Sequence, residues 1–167
     1  MVEQAVEVKL GCGFINMSGI ITKNQAGNSG LMGNPVDYQV FTSSSSTTWT
    51  KPLHAKVAVI ECIGGGAAGG TDGGSGGGGG GAYEWGCFNL EGISTLAIVA
   101  GAGGDVGSTA GDGEAGETST VISGSETILS AFGGGSGKQG TGHPDNGGGG
   151  GGGGGTGGTG QYGLNAS

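Results

Sequence analysis

The sequence predicts an all-β fold: an antiparallel β-sandwich, jelly-roll-like, with glycine-rich segments of polyproline-II type and helix nearly absent. Short β-branched and aromatic runs recur along the chain, and the segments between them show no sustained 3.6-residue apolar period. Glycine supplies 48 of the 167 residues and is concentrated in unbroken tracts between those runs. These two observations together predict short strands joined by expanded glycine connections.

Eight segments are predicted as strands because they are apolar, β-branched or aromatic and are bounded by turn-forming residues. In chain order they are Val6–Leu10, Val36–Thr42, Thr47–Thr50, Lys56–Ile63, Ala82–Leu90, Thr95–Ala100, Thr118–Ile122 and Thr127–Phe132. Four aromatic residues within them are predicted to anchor the core, namely Trp49, Tyr83, Trp85 and Phe88. Alanine at Trp85 is therefore expected to destabilise the protein by a few kcal/mol.

Nine consecutive glycines occupy positions 147–155, and further tracts lie at 64–66, 76–81 and 133–135. An isolated oligoglycine run has no fixed path, because glycine loses more conformational freedom on folding than any other residue. Only glycine allows polyproline-II backbones to approach one another closely. Because strands alternate in direction, several tracts can leave the sheets at one end, where we expect them to bundle into a rigid tip.

The sequence divides into two predicted parts. Residues 1–35 are mixed in composition and are predicted to be an N-terminal arm or attachment segment. Residues 36–167 are predicted to be a glycine-rich β-sandwich domain with a polyglycine tip. Because hydrophobic residues make up only 33% of the chain, the core is expected to be small, and oligomerisation or burial against a larger assembly is expected.

Charge and cysteine content exclude several functional classes. Thirteen acidic residues oppose five lysines and no arginine, whereas phosphate-backbone binding depends on clustered Lys and Arg, so nucleic acid is not an expected partner. Three widely spaced cysteines are typical neither of a disulfide framework nor of a metal site, and indicate small, buried, reduced thiols. The first residues lack a basic-then-apolar leader, so synthesis in a cytoplasm without a signal peptide is expected.

One stretch of the chain resembles a known family. Phe41–Pro52, followed by the apolar strand and glycines of Lys56–Gly66, is similar to the opening of the glycine-rich domain of bacteriophage tail-fibre and receptor-binding (adhesin) proteins. There, an F-T-x-S-G-x-W-x-x-P pattern leads into an apolar strand and a glycine run. The similarity continues over roughly residues 36–160. A comparable layout occurs in the extracellular glycine-rich region of some animal receptor tyrosine kinases.

This resemblance implies a phage virion component, often trimeric, that displays variable loops to a host surface. Because only about 35 residues precede the family-like region, we expect either a short fibre or adhesin, or a decoration protein on the capsid or tail. The resemblance does not decide between the two. The expected partners are further copies of the chain, other virion proteins bound through residues 1–35, and a host surface glycan or outer-membrane protein.

Polar residues in the turns between glycine tracts are the predicted receptor contacts. They are Asp72, Ser75, Lys138, Gln139, His143, Asp145 and Asn146. His143 and Asp145 suggest a catalytic pair, but no motif places a nucleophile beside them, and Pro, Asp and Asn are turn formers. We therefore predict a turn here and no catalytic residue.

Four acidic residues share one glycine-rich loop: Asp105, Asp112, Glu114 and Glu117. Oxygen ligands on a flexible loop suit calcium. Their spacing matches neither the EF-hand loop nor the calcium-binding nonapeptide repeat. We predict a solvated acidic loop, with no metal site and no cofactor.

Two other functions stay open as alternatives. An ice-binding protein built from glycine helices needs small residues at every third position of a flat face, whereas these glycines lie in unbroken blocks. A polysaccharide depolymerase needs paired carboxylates on a groove. Nothing in the spacing of Glu61, Glu84 and Glu91 pairs them, so no enzyme activity is predicted.

Overall fold

The computed structural model describes residues 6–9, 37–53, 55–106, 111–140, 148–155 and 157–164. Eight strands lie in this part of the chain. They are β1 (Val6–Lys9), β2 (Tyr38–Phe41), β3 (Thr47–Thr50), β4 (Val57–Ile63), β5 (Tyr83–Asn89), β6 (Thr95–Val99), β7 (Ser119–Ser123) and β8 (Glu126–Ala131). Each matches a predicted strand to within two residues at either end.

The strands form two four-stranded sheets in which every pairing is antiparallel. Sheet A has the order β2-β1-β4-β5, and sheet B has the order β3-β6-β7-β8. The described residues contain no helix, and thus none long and apolar enough to cross a membrane. The predicted antiparallel all-β fold is confirmed, and its finer description as a jelly-roll-like sandwich stays a prediction.

Strand β1 lies between β2 and β4, so Val6–Lys9 belong to sheet A. The division of the chain at residue 35 stays a prediction. The β7–β8 hairpin turns at Gly124, whose φ of 61° is in the left-handed region that glycine adopts at least cost.

One buried hydrophobic cluster takes residues from both sheets. In β4 burial alternates, so that Ala58, Ile60 and Cys62 are fully buried and the intervening residues are not. Sheet B contributes four large members, which are Trp49, Leu96, Ile98 and Val121. The cluster is small, as the composition predicts, and Trp49 is its largest side chain.

The prediction that all four aromatic residues anchor the core is wrong for two of them. Tyr83 and Trp85 point outward from edge strand β5 and are 55% and 63% exposed. Phe88 lies on the opposite face, half-buried against the cluster, and Leu90 is fully buried. Both faces of this strand carry large apolar residues, so alternation alone could not show which face is buried.

Cys62 is buried, whereas Cys87 is exposed. Burial, together with the carboxylate of Glu84 in the neighbouring strand, raises the pKa of Cys62 from 9.0 to about 12. The neutral thiol therefore favours the folded state below pH 9.0, and this contribution is lost as the pH rises towards 12. The prediction of buried thiols is confirmed for Cys62 and wrong for Cys87, and the prediction that the thiols are reduced stays a prediction.

Glycine-rich segments extend from the sheets and pack side by side in what we call the glycine bundle. The described segments are 64–71, 75–81, 101–106, 111–117, 133–140, 148–155 and 158–164. Hydrogen bonds between neighbouring segments recur at every third residue. The amides of Gly64, Ala67 and Gly70, for example, donate to the carbonyls of Ala82, Gly79 and Gly76 over 2.8, 2.8 and 2.9 Å. This period is that of the polyproline-II helix, which has three residues per turn.

Segment 133–140 is the centre of the glycine bundle. Its amides donate to segments 64–71 and 148–155, and its carbonyls accept from segments 75–81, 111–117 and 158–164. The nine-glycine run of the sequence is therefore held by other glycine tracts, as predicted, along its described residues 148–155.

Most glycines in the bundle are required by close backbone contact. A Cβ atom at Gly116 or Gly133 would lie 1.9 Å from the carbonyl oxygen of a neighbouring segment. A Cβ at Gly77 or Gly80, by contrast, would meet no atom within 4 Å. Close packing therefore fixes the residue type at some positions and leaves it open at others in the same tract.

A buried serine ties the glycine bundle to the sheets. The hydroxyl of Ser119 donates to the carbonyl of Ile63 over 2.6 Å and accepts from the amide of Gly101 over 2.8 Å. Ile63 and Gly101 lie where segments 64–71 and 101–106 leave the sheets. One side chain thus satisfies two backbone groups that the sheet ladders do not pair.

Alanine at Gly116 is expected to destabilise the protein by at least about 1–3 kcal/mol, because its Cβ would overlap the carbonyl of Gly65. Alanine at Gly77 is the matched control, and its effect is expected to stay within about 1 kcal/mol. Denaturant unfolding of both variants measures the difference. Equal losses of stability would contradict the packing described here.

Alanine at Trp49 is expected to cost about 3–5 kcal/mol, because this side chain is 1% exposed in the core. Alanine at Trp85, which is outward-facing, is expected to change stability by less than about 1 kcal/mol. Thermal unfolding of the two variants tests this assignment of faces, and a larger loss at Trp85 than at Trp49 would refute it.

Candidate functional site

The ends of the bundle segments that lie farthest from the sheets meet in one region, which we call the distal end. Here the amide of Thr71 donates to the carbonyl of Gly111 over 2.9 Å. The amide of Gly148 donates to the carbonyl of Gly74 over 2.7 Å. The amide of Gly140 donates to the hydroxyl of Ser75 over 3.0 Å. Three chain connections, 71–75, 106–111 and 140–148, therefore begin and end in this region.

The first connection is a tight turn that contains two of the predicted contact residues. Asp72 has a φ of 89°, in the left-handed region where Asp is one of the better-tolerated residues. One of its carboxylate oxygens accepts from the amide of Gly73 over 2.8 Å. The hydroxyl of Ser75 donates to the carbonyls of Thr71 and Asp72, both over 2.7 Å. The turn is thus closed by its own side chains, and Asp72 is exposed.

Lys138 and Gln139 lie on the central segment and converge on Asp112. The ammonium of Lys138 forms an ion pair with one carboxylate oxygen of Asp112, and the amide of Gln139 donates to the other over 2.9 Å. The same ammonium lies 5.6 Å from the ring centroid of Tyr162, within cation–π distance. The Gln139 side chain is half-buried, and the Tyr162 ring is 61% exposed.

Hydrogen bonding from Lys138 and from the backbone of Gln139 lowers the pKa of Asp112 below its ordinary value of 3.8. Asp112 is therefore ionised at neutral pH, where its ion pair with Lys138 is formed. As the pH falls below 3.8 towards the lowered pKa, protonation breaks the pair. The distal end thus has a fixed charge arrangement at neutral pH.

The structure brings together four of the seven predicted contact residues. Asp72 and Ser75 lie beside Lys138 and Gln139, since the amide of Gly76 donates to the carbonyl of Lys138 over 2.9 Å. His143, Asp145 and Asn146 lie outside the described residues, in the connection that joins Gly140 to Gly148.

Sequence reasoning missed Asp112 and Tyr162 as parts of this region. Asp112 was expected to belong to a solvated acidic loop, but it is paired with Lys138. A signal existed, because Lys138 is the only lysine after residue 56 and stands in a strongly acidic part of the chain. For Tyr162 no comparable signal exists, since nothing local relates it to residues 24 positions earlier.

The acidic residues of the predicted loop do not converge. Asp112 is engaged by Lys138, and a carboxylate oxygen of Glu117 accepts from the amide of Ala102 over 3.2 Å. Within the described ranges, no group of three or more His, Cys, Asp or Glu residues is placed to hold a metal ion.

The three glutamates considered for catalysis are also apart. Glu61 is paired in register with Trp85, whereas Glu84 is paired with Cys62, so the two carboxylates lie on opposite faces of sheet A. Glu91 follows β5 at the end of the sheets away from the glycine bundle. The prediction of no enzyme activity stays a prediction.

The distal end, the glycine bundle and strands β3 to β8 lie in a region that matches a known family. A model of the glycine-rich domain matches residues 42–167. The chain belongs to this family. The match begins close to the opening from which the resemblance was inferred and extends to the last residue. Comparison with curated proteins and with solved structures gives no match.

A side-chain titration by NMR is expected to place the pKa of Asp112 below 3.8. Because the bond from Lys138 is the main cause, glutamine at Lys138 is expected to raise the pKa towards its ordinary value. An exposed aspartate without such a partner gives the reference titration. An unchanged midpoint in the Lys138→Gln variant would show that the ion pair does not form in solution.

Proposed function

We propose that this glycine-rich domain protein is a phage virion component, a short fibre or adhesin that presents loops for host-surface recognition. The observation that supports this best is the gathering of three chain connections at the distal end, on segments held by backbone hydrogen bonds. Binding residues are commonly carried by loops on a rigid scaffold. A loop that is already positioned loses less conformational entropy when it binds.

The chemistry of the distal end suits recognition of a polar surface. An exposed carboxylate at Asp72, an amide at Gln139 and the paired ammonium of Lys138 offer hydrogen-bond donors and acceptors. The exposed ring of Tyr162 adds an apolar face with a polar hydroxyl. A host glycan or an outer-membrane protein presents complementary groups, and both belong to this proposal.

In this proposal the protein acts as a homotrimer in the virion and is joined to other virion proteins through residues 1–35. The distal end then faces away from the particle. Neither a nucleic acid nor a cofactor takes part.

A second candidate is a capsid or tail decoration protein whose glycine segments pack for assembly. One surface of the bundle, formed by segments 75–81 and 148–155, favours it. At Gly77 and Gly80 a Cβ would meet nothing within 4 Å, and at Gly150 and Gly153 its nearest neighbours would be 3.5 and 3.6 Å away. Packing within the chain does not require glycine at these four positions, whereas close approach of another subunit would.

Binding of labelled protein to bacterial cells, measured by flow cytometry over a strain panel, distinguishes the two candidates. On a strain that binds the native protein, the double variant Asp72→Asn with Gln139→Ala is expected to weaken binding about tenfold or more. Asparagine at position 72 tolerates the left-handed backbone. The matched control changes the same residue types on the sheet, Asp37→Asn with Gln39→Ala, and is expected to bind normally.

Variants of the bundle surface formed by segments 75–81 and 148–155 test the second candidate in the same assay. Valine at both Gly77 and Gly80 is expected to leave cell binding unchanged if the distal end recognises the host. If the native protein does not bind cells and this variant is no longer incorporated into phage particles, the decoration protein is favoured. That result would count against the adhesin.

A further inference from the structure

The end of the sheets opposite the glycine bundle contains a groove, which we call the basal groove. Its volume is about 370 Å³, and it is lined by Lys51, Ala55, Lys56, Asn89, Leu90 and Glu91. Strand β4 starts at Val57 beside this groove and ends at Ile63, where the first bundle segment begins. The basal groove and the distal end therefore lie at opposite ends of the described structure.

Two lysines line the basal groove without a carboxylate partner. Within the described ranges neither Lys51 nor Lys56 forms an ion pair, whereas Lys138 at the distal end does. The ammonium of Lys51 donates to the carbonyl of Leu90 over 2.9 Å, which orients it and leaves two further donors. In a chain of net charge −8, these two cations form a local positive site.

The turn between the two lysines carries an exposed apolar side chain. Leu53 is 89% exposed on a turn that is closed by the amide of Ala55 donating to the carbonyl of Pro52 over 3.0 Å. Ala55 also lines the groove. The surface thus combines lysine ammonium groups with apolar atoms.

We propose that the basal groove binds a peptide segment of a partner protein, one that has carboxylates separated by apolar side chains. The charge complementarity of two unpaired lysines selects carboxylates, and Ala55 in the groove, with Leu53 exposed on the adjoining turn, offers contact to apolar groups. Glu91 on the same groove repels a dense polyanion such as a nucleic acid backbone. A peptide with spaced carboxylates avoids that repulsion.

This binding site is independent of the proposed host recognition, because it uses no residue of the distal end. A partner in the basal groove leaves the distal end free, so the groove is suited to attach the protein to whatever carries it. A negative result for peptide binding at the basal groove would not contradict host recognition by the distal end, and the reverse also holds.

The test is an NMR titration of the full-length ¹⁵N-labelled protein with an acetylated and amidated octapeptide of alternating glutamate and leucine. Shift changes are expected at residues 51–56 and 89–91. Two control peptides replace every glutamate with lysine or every leucine with serine, and both are expected to bind more weakly. Inorganic pyrophosphate is the probe for a simple anion site.

Glutamine at Lys56 is expected to weaken binding of the glutamate–leucine peptide about two- to fivefold, in keeping with a partly exposed ion pair. Lys138→Gln, which removes the same charge at the distal end, is the matched control and is expected to have no effect. The amide spectrum of each variant verifies its fold.

Shift changes confined to the distal end, equal binding of the lysine peptide, or no binding at millimolar peptide would each overturn the proposal. Pyrophosphate binding at residues 51–56 without peptide binding would overturn it as well, since the groove would then be an anion site.

Discussion

Hydrogen bonds between glycine backbones, repeated at every third residue, are the constraint on which the rest of this structure depends. Segment 133–140 bonds to five neighbouring segments, and Cβ atoms at most of the bundle's glycines would overlap a neighbouring carbonyl. Such contacts replace side-chain packing with backbone packing. The glycine content is therefore a packing requirement, and the entropy lost by ordering glycine is offset by these shared hydrogen bonds.

The sheets supply what the glycine segments lack, a nucleus that sets their positions. Strands β4, β6 and β8 each lead directly into a bundle segment, and Ser119 joins two of those exits through its buried hydroxyl. A small hydrophobic core around Trp49 is enough to hold the fold together, because the glycine segments are ordered mainly by hydrogen bonds within the bundle. The turns that join the segments are then collected at the distal end, which is why the proposed recognition surface lies there.

Much of the fold could be predicted from the sequence, because strand runs and glycine tracts are local patterns. The burial of Trp49 follows from its being the one large apolar side chain in β3, whereas the outward position of Trp85 depends on which face of β5 meets sheet B. The site was predicted in part. Turn residues such as Asp72 are recognisable by type, but the pairing of Asp112 with Lys138 joins residues 26 positions apart through the bundle's own geometry.

Amide hydrogen exchange across segment 75–81 tests the central claim most directly. The amides of Gly76 and Gly79 donate to segment 133–140, whereas in the described structure those of Gly77, Gly78 and Gly80 donate to no acceptor. Slow exchange at Gly76 and Gly79, with fast exchange at the glycines between them, is the result that the three-residue period predicts. Uniformly fast exchange along the tract would show that the glycine segments do not form a bundle in solution.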